Sequence, residues 1–144
     1  MRKTIRMIFI VYMLVLAYLL FCRTEDYGLG GYALFNLVPF RTVTRYLGSM
    51  GPGNWLVPVA NLLGNVILFI PVGMLLPYAV RKTDSWKAMA AVALLFPMVV
   101  ETLQYVTRTG ILDIDDVMLN AMGIILGYLI FRTLKKRRRT DPSP

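Results

Sequence analysis

Histidine is absent from the 144 residues of this chain, and cysteine occurs once, at Cys22. Without histidine the chain has no imidazole to act as a general base, to complete a Ser-His-Asp triad or to bind zinc. A single cysteine excludes an intrachain disulfide and a Cys-x-x-Cys site. Any chemistry that the protein performs must therefore use carboxylates, amides, arginine, lysine, hydroxyls or tyrosine.

Acidic residues are scarce as well: eight face sixteen basic ones, which gives a net charge of +8. In a soluble protein this charge would indicate nucleic-acid binding. However, 57% of the residues are hydrophobic, more than the roughly 45–50% of a soluble globular chain. A soluble domain of this size could not bury so much apolar surface. The composition therefore predicts a membrane protein with a single domain.

Four long apolar runs divide the chain, at about residues 5–22, 55–80, 86–106 and 114–134. At ~1.5 Å per residue, such runs span most or all of the ~30 Å hydrocarbon core of a bilayer as helices. The prolines of the second and third runs predict kinks, which neighbouring helices tolerate in a membrane. We therefore predict an all-α integral membrane protein, a bundle of four transmembrane helices.

The first run has a rival interpretation, because basic residues precede it as they do in a signal peptide. No small-x-small cleavage motif follows the run, and Phe21 before Cys22 is too bulky for a lipoprotein-type cleavage site. These features favour a retained membrane anchor.

The basic residues are unevenly distributed if the chain crosses the membrane at each run. With the N-terminus inside, the inner side holds Arg2, Lys3, Arg6, Arg81, Lys82, Lys87, Arg132, Lys135, Lys136, Arg137, Arg138 and Arg139, and the outer side holds Arg23, Arg41, Arg45 and Arg108. Twelve against four predicts a multi-pass protein with both termini in the cytoplasm. The basic tail at 135–144 is then a topology signal that contacts anionic membrane lipid, and nucleic acid is not a predicted partner.

Half of the acidic residues cluster at the junction of the third and fourth runs, namely Glu101, Asp113, Asp115 and Asp116. Glu101 lies inside the third run, ~22 Å along the helix from Trp86. An acid costs roughly 2.5–3.5 kcal/mol at the centre of a membrane and less near its surface. Such a cost makes Glu101 a candidate for function.

The polar residues of the last three runs repeat at helical spacing, so that each set lies on one face of its helix. The sets are Asn61 and Asn65; Glu101, Gln104 and Arg108; and Asp116, Asn120, Gly123 and Gly127. The two glycines form a GxxxG motif, which allows close packing of helices. Three helices thus carry polar groups at a similar depth, which predicts a polar pocket that opens outward.

Each of these residues also has a structural interpretation. Asp113 fits an N-cap, with Asp116 three residues later as in a capping box. Asn61 and Asn65 suit hydrogen bonds between helices, and Glu101 suits an ion pair with an arginine, Arg108 or Arg41. Alternatively, Asp113, Asp115 and Asp116 could hold a divalent cation such as Mg²⁺ or Mn²⁺. Consecutive helical residues point in different directions, so at most two of these three would bind one ion.

The loop between the first two runs contains a predicted short helix, from Pro39 to Leu47. Phe40, Val43 and Leu47 form an apolar stripe, which predicts an interfacial helix in the first extracytoplasmic loop. The arginines Arg41 and Arg45 suit lipid phosphate or the acids of the pocket. Residues 48–53 are rich in glycine and suit a hinge, so this helix is either a lid or a passive interfacial segment.

Several segments together resemble the VanZ-like family of small bacterial membrane proteins. The matching segments are Asn36–Phe40, Asn61–Pro77, Glu101–Gln104 with Arg108, and Asp113–Gly127, within about residues 32–130. The resemblance implies a polytopic protein of the bacterial cell envelope. It also implies a connection with resistance to glycopeptide antibiotics, teicoplanin in particular, without implying a reaction.

Two functions follow as hypotheses. In the first, the pocket binds a lipid-linked cell-wall precursor or the glycopeptide's lipid-anchored target, using Asn36, Arg41, Asn61, Asn65, Gln104, Arg108, Asp115 and Asn120. In the second, the protein is an enzyme that acts on an envelope lipid or phospho-substrate, with Glu101 and Asp116 as general acid and base. A transporter or channel is less favoured, because polar groups on one side of a protomer offer no continuous path. Apart from the cation alternative, no cofactor is predicted, and the oligomeric state is open.

Overall fold

The structure, a computed structural model, describes residues 2–22 and 35–140. Its helices are α1 (Arg2–Phe21), α2 (Arg41–Gly48), α3 (Leu56–Ala79), α4 (Trp86–Thr107) and α5 (Ile114–Thr140). A 3-10 turn, Arg81–Thr83, joins α3 to α4, and two-residue strands occur at Phe35–Asn36 (β1) and Leu112–Asp113 (β2). The predicted outer-side residue Arg23 and the tail beyond Thr140 lie outside the described residues.

Four of the helices are long and apolar enough to span a membrane: Lys3–Phe21, Leu56–Ala79, Trp86–Thr107 and Ile114–Arg137. The prediction of an all-α, multi-pass membrane protein is therefore confirmed. Helix α5 runs six residues past the predicted end of its span at Leu134. The apolar run ends there, but lysine and arginine are good helix formers and continue the helix.

Prolines do not interrupt the spanning helices. Pro58 lies in the first turn of α3, where a missing N–H has no intrahelical partner in any case. Pro71 and Pro77 lie further along α3, and Pro97 lies inside α4, and both helices continue through them.

Helix α3 is the centre of the bundle. It packs most extensively against α5, which also packs against α4, while α1 packs against α3. The core between these helices contains Phe69, Met89, Ile124 and Tyr128, all fully buried. On α1 the residue buried in this core is Leu16, so α1 lies at the periphery of the bundle.

Glycines allow α3 and α5 to approach closely. A Cβ atom on Gly123 would lie 2.2 Å from the carbonyl oxygen of Val66, and one on Gly127 would lie 1.9 Å from that of Ile70. Gly73 on α3 meets the backbone of α5 in the same way. The GxxxG motif thus packs α5 against α3, as the sequence predicted.

The bundle has two chemically different ends. At one end α1 begins, α5 ends, and α3 turns into α4; we call it the basic end, after Arg6, Arg81, Lys82, Lys87 and Lys135. There the side chain of Arg6 donates to the carbonyl oxygen of Ala79, and Lys135 pairs with Asp84. At the opposite end, α4 turns into α5 beside α2. We call it the acidic end, after Glu101, Asp113, Asp115 and Asp116.

The loop after α1 is attached to the acidic end through its backbone. Strand β1 pairs in parallel with β2, placing Phe35 opposite Leu112 and Asn36 opposite Asp113. The sequence did not predict this pairing. Helix α2 follows at the position predicted for a short helix, beginning two residues after Pro39. The apolar side chains of Phe40 and Leu47 are exposed, as expected of a helix in the membrane interface.

Candidate functional site

Asp115 fixes the beginning of α2. Its carboxylate accepts backbone N–H groups of Phe40 at 2.5 Å, Thr42 at 2.7 Å and Val43 at 3.2 Å. The first N–H groups of a helix have no intrahelical acceptor, and a negative charge there also interacts favourably with the positive end of the helix dipole. Phe40, the N-cap residue of α2 itself, has a side chain that provides no such bond. Asp115, which is 1% exposed, therefore caps α2 from a different helix.

Asp113 joins the same loop to the start of α5. Its carboxylate accepts hydrogen bonds from the Asn36 amide at 3.1 Å and from the Thr42 hydroxyl at 2.5 Å. The Asn36 amide also donates to the Thr42 hydroxyl oxygen at 3.1 Å. All three side chains are buried. Two residues of the predicted binding set, Asn36 and Asp115, thus hold the loop in place, and we call Asn36, Thr42, Asp113 and Asp115 the loop tether.

Asp113 also caps α5, as the sequence predicted, because its carboxylate accepts the backbone N–H of Asp115 at 2.9 Å. The predicted capping box with Asp116 does not form. Instead, Glu101 of α4 accepts the backbone N–H of Asp113 at 3.3 Å, while Asp116 bonds to α3. A capping box involves residues of one helix only, whereas here Asp116, the third residue of α5, turns toward α3.

Beside the loop tether, all five helices and the turn after α4 contribute side chains to a polar groove of about 180 Å³. Its polar side chains are Tyr46, Asn61, Asn65, Gln104, Thr109 and Asp116, and its apolar ones are Leu19, Leu20, Leu62 and Leu68. Four residues of the predicted pocket, Asn61, Asn65, Gln104 and Asp116, thus line one groove. The groove combines polar groups with a leucine wall.

Some polar atoms of the groove bond to each other. The Asn65 amide donates to one carboxylate oxygen of Asp116 at 2.5 Å, and the Asn61 amide donates to the Tyr46 hydroxyl at 3.3 Å. Gln104 donates to the carbonyl oxygen of Leu20 at 3.0 Å. Each of these three amide side chains therefore has one N–H engaged within the protein. Within the described residues, the second oxygen of Asp116 and the side-chain oxygens of all three amides accept no hydrogen bond.

Glu101 and Asn120 lie near the groove without lining it. Glu101 is 4% exposed and Asn120 is 1% exposed. The carboxylate of Glu101 is close enough to Asp116 and Asp113 for their charges to repel. The side-chain oxygen of Asn120 has no hydrogen-bond partner among the described residues. Of the two predicted catalytic carboxylates, Asp116 therefore reaches the groove and Glu101 does not.

The arginines of the predicted site lie apart from the acids. Arg41 and Arg108 are exposed, and across residues 2–22 and 35–140 neither forms an ion pair with an acid. The alternative in which Glu101 pairs with Arg108 or Arg41 is therefore not found. Arg108 ends α4 in the left-handed conformation, with φ of 58°, so the helical face expected to continue from Gln104 stops before it. Arg45 is also exposed and donates to the Thr42 hydroxyl at 3.3 Å.

Protein donors occupy the acids proposed for a divalent cation. The oxygens of Asp113 and Asp115 accept the hydrogen bonds of the loop tether, and Asp116 bonds Asn65. The described ranges contain no group of three or more acidic or cysteine side chains arranged to hold a metal ion. A cation at this site stays a prediction of the sequence that this geometry does not favour.

Sequence reasoning missed three residues of this end: Thr42, Tyr46 and Thr109. Thr42 and Tyr46 are four residues apart on α2 and hence share a face, the one turned toward the bundle. That spacing was a usable signal, but the arginines and apolar residues of α2 dominated its interpretation. Thr109 lies in the turn after α4, where helical periodicity gives no information.

One family description covers most of the chain. The model of the VanZ/LLP1 family matches residues 9–135, from within α1 to within α5. That range contains every described residue of the loop tether and of the polar groove. No curated protein sequence and no solved structure matches the chain.

Proposed function

We propose that this chain, which belongs to the VanZ/LLP1 family, is a cell-membrane protein that binds the headgroup of a lipid-linked envelope component in its polar groove. The observation that carries the proposal is the set of acceptors there that receive no hydrogen bond from the protein. One oxygen of Asp116 and the amide oxygens of Asn61, Asn65 and Gln104 accept no hydrogen bond from the described part of the chain. Groups of this kind in a half-buried site favour a ligand that supplies donors.

The chemistry of the groove narrows the part of the ligand that it takes. Sugar hydroxyls, amide N–H groups and ammonium groups supply donors, whereas a bare phosphate would be repelled by Asp116. The exposed Arg41 and Arg45 on α2 suit a phosphate outside the groove. The leucine wall suits the start of a hydrocarbon chain. A lipid-linked cell-wall precursor, with sugar and peptide donors next to phosphate and a polyprenyl chain, combines these features.

Access to such a ligand requires the acidic end to face outward. The distribution of the basic residues supports this orientation, with both termini in the cytoplasm. Cys22 follows α1 at the acidic end and is exposed and free, so it can report the orientation. A membrane-impermeant maleimide should label Cys22 in intact cells and should not label Cys22→Ser/Lys82→Cys, whose thiol lies at the basic end. The reverse pattern would contradict the proposed orientation.

The binding experiment uses the protein in lipid nanodiscs and a fluorescent polyprenyl-pyrophosphate-linked peptidoglycan precursor. Asp116→Asn removes the charged acceptor, and a hydrogen bond to a charged group contributes about 1.5–3 kcal/mol. We expect an affinity about 10–150-fold weaker. Asp84→Asn is the matched control, because it removes one acidic charge at the basic end. Equal affinities of the two variants and the parent protein would contradict binding of the precursor in the groove.

We further propose that binding of the precursor in the groove reduces capture of the precursor by glycopeptides, so that the protein contributes to teicoplanin resistance. The resemblance to VanZ-like proteins supports this extension. Cells that express the parent protein should tolerate more teicoplanin than cells that express Asp116→Asn at the same level, while Asp84→Asn should protect like the parent. Full protection by Asp116→Asn would show that resistance does not depend on the groove.

A second candidate function is a membrane enzyme acting on an envelope lipid or phospho-substrate. The observation in its favour is the proximity of the Glu101 and Asp116 carboxylates, since neighbouring acids can divide into a proton donor and a proton acceptor. Because Glu101 does not line the groove, we place this function second. Turnover of the bound precursor by purified protein, abolished in Asp116→Asn and Glu101→Gln alike, would favour the enzyme.

A further inference from the structure

Two neighbouring cavities, which share Phe9 as a wall and which we together call the cleft, lie on the opposite half of the molecule from the polar groove. The first, the mouth of the cleft, is about 510 Å³ and lies at the basic end between α1 and the turn after α3, where Arg6, Arg81 and Lys82 lie beside Phe9 and Ile10. Phe9 also lines an apolar cleft of about 430 Å³ between α1, α3 and α4. The two cavities are therefore neighbours on either side of Phe9, with basic side chains around the first and apolar side chains around the second.

The basic side chains at the mouth are available to a ligand. Arg6 uses its Nε to donate to the carbonyl oxygen of Ala79 at 3.0 Å, which leaves its terminal nitrogens for other acceptors. Arg81 and Lys82 are exposed, and among the residues described no acid pairs with either of them. Arginine and lysine in such a cluster are suited to a phosphate group.

The apolar part of the cleft has the depth of one membrane leaflet. Along α4 it extends from Ala91 to Val99, which corresponds to ~12 Å of helix. Half of a ~30 Å hydrocarbon core is slightly more than this length. The walls include Met13, Leu76 and Phe96, and these side chains offer almost no polar atoms. The cleft therefore suits a single acyl chain that enters from the basic side of the membrane.

We propose that the cleft binds an anionic phospholipid, with the phosphate at Arg6, Arg81 and Lys82 and one acyl chain between α1, α3 and α4. This site is separate from the polar groove and does not depend on the function proposed for it. A parallel second copy of this chain is the less suitable occupant, since it would bring its own basic end against the basic mouth.

The test is native mass spectrometry of the detergent-solubilised protein, titrated with dioleoylphosphatidylglycerol or dioleoylphosphatidylcholine. We expect the anionic lipid to bind more tightly, and Arg81→Gln/Lys82→Gln to weaken it about thirtyfold without changing the binding of phosphatidylcholine. This figure assumes roughly five- to sixfold for each base near an anionic surface. Lys87→Gln is the matched control, because Lys87 is an exposed base at the same end that lines neither cavity.

A second variant tests the acyl-chain half while keeping every charge. Ala91→Trp fills the apolar cleft from α4 and should weaken phosphatidylglycerol binding at least fivefold with Arg81 and Lys82 in place. Inorganic phosphate at millimolar concentration should not displace the lipid, since it lacks the chain; displacement would reduce the site to a phosphate site. Equal binding of the two lipids, or equal effects of Arg81→Gln/Lys82→Gln and Lys87→Gln, would overturn the proposal.

Discussion

Replacing Asp115 by asparagine should release the beginning of α2 from the bundle. The carboxylate of Asp115 receives three backbone N–H groups, of Phe40, Thr42 and Val43. Asparagine keeps one acceptor oxygen, loses the charge, and turns its own N–H₂ toward one of these donors. A hydrogen bond to a charged group is worth about 1.5–3 kcal/mol, and a buried N–H without a partner costs a further 1–3 kcal/mol. The total loss is therefore about 2.5–6 kcal/mol.

Hydrogen exchange of the Thr42 and Val43 amides measures this loss directly. Both amides lie in the first turn of α2, where the helix offers them no acceptor, so that Asp115 provides their protection. A loss of at least about 2.5 kcal/mol should speed their exchange about seventyfold or more in Asp115→Asn. Asp116→Asn is the control, since Asp116 bonds to Asn65 and not to α2. If Thr42 and Val43 stay protected in folded Asp115→Asn, the cap does not hold α2.

Other expected outcomes concern stability, measured as the thermal unfolding midpoint in detergent. Gly127→Ala should lower the midpoint by an amount equivalent to 1–3 kcal/mol or more, because its Cβ would meet the backbone of α3; an unchanged midpoint would contradict the close crossing. Gly64→Ala has open space around the new Cβ and should be neutral or stabilising, since alanine is the better helix former by about 1 kcal/mol. Asn120→Leu should keep or raise the midpoint, because the buried side-chain oxygen lacks a partner; a lower midpoint would reveal a hydrogen bond to Asn120. Asp84→Asn should change the midpoint by an amount equivalent to less than about 1 kcal/mol, as expected for a partly exposed ion pair.

The spanning helices and their packing motif were predictable because the signals are local. Apolar runs of membrane length identify the helices, and the spacing of Gly123 and Gly127 identifies the face of α5 that packs. The N-cap role of Asp113 was predictable as well, since the cap and the helix it begins are adjacent in sequence. For such features, periodicity and neighbouring residues contain the necessary information.

The roles of Asp115 and Glu101 were not predictable, because their partners are distant or belong to another helix. Asp115 is more than 70 residues from the amides that it caps, and helical periodicity in α5 gives no indication of α2. Glu101 was expected either in the pocket or beside an arginine, but it accepts a backbone N–H of the α4–α5 turn. A sequence pattern shows side chains and not the positions of backbone N–H groups. A buried acid in the sequence therefore suggests an ion pair, even where the backbone of a turn provides its hydrogen bond.

The groove's role in ligand binding is tested most directly by an experimental structure of the protein in native lipid. We expect density for a bound headgroup in the groove, with a donor within hydrogen-bond distance of the second carboxylate oxygen of Asp116 and of the Asn65 amide oxygen. A closed groove, in which Gln104 or Arg108 donates to Asp116 and no ligand density is present, would contradict the account.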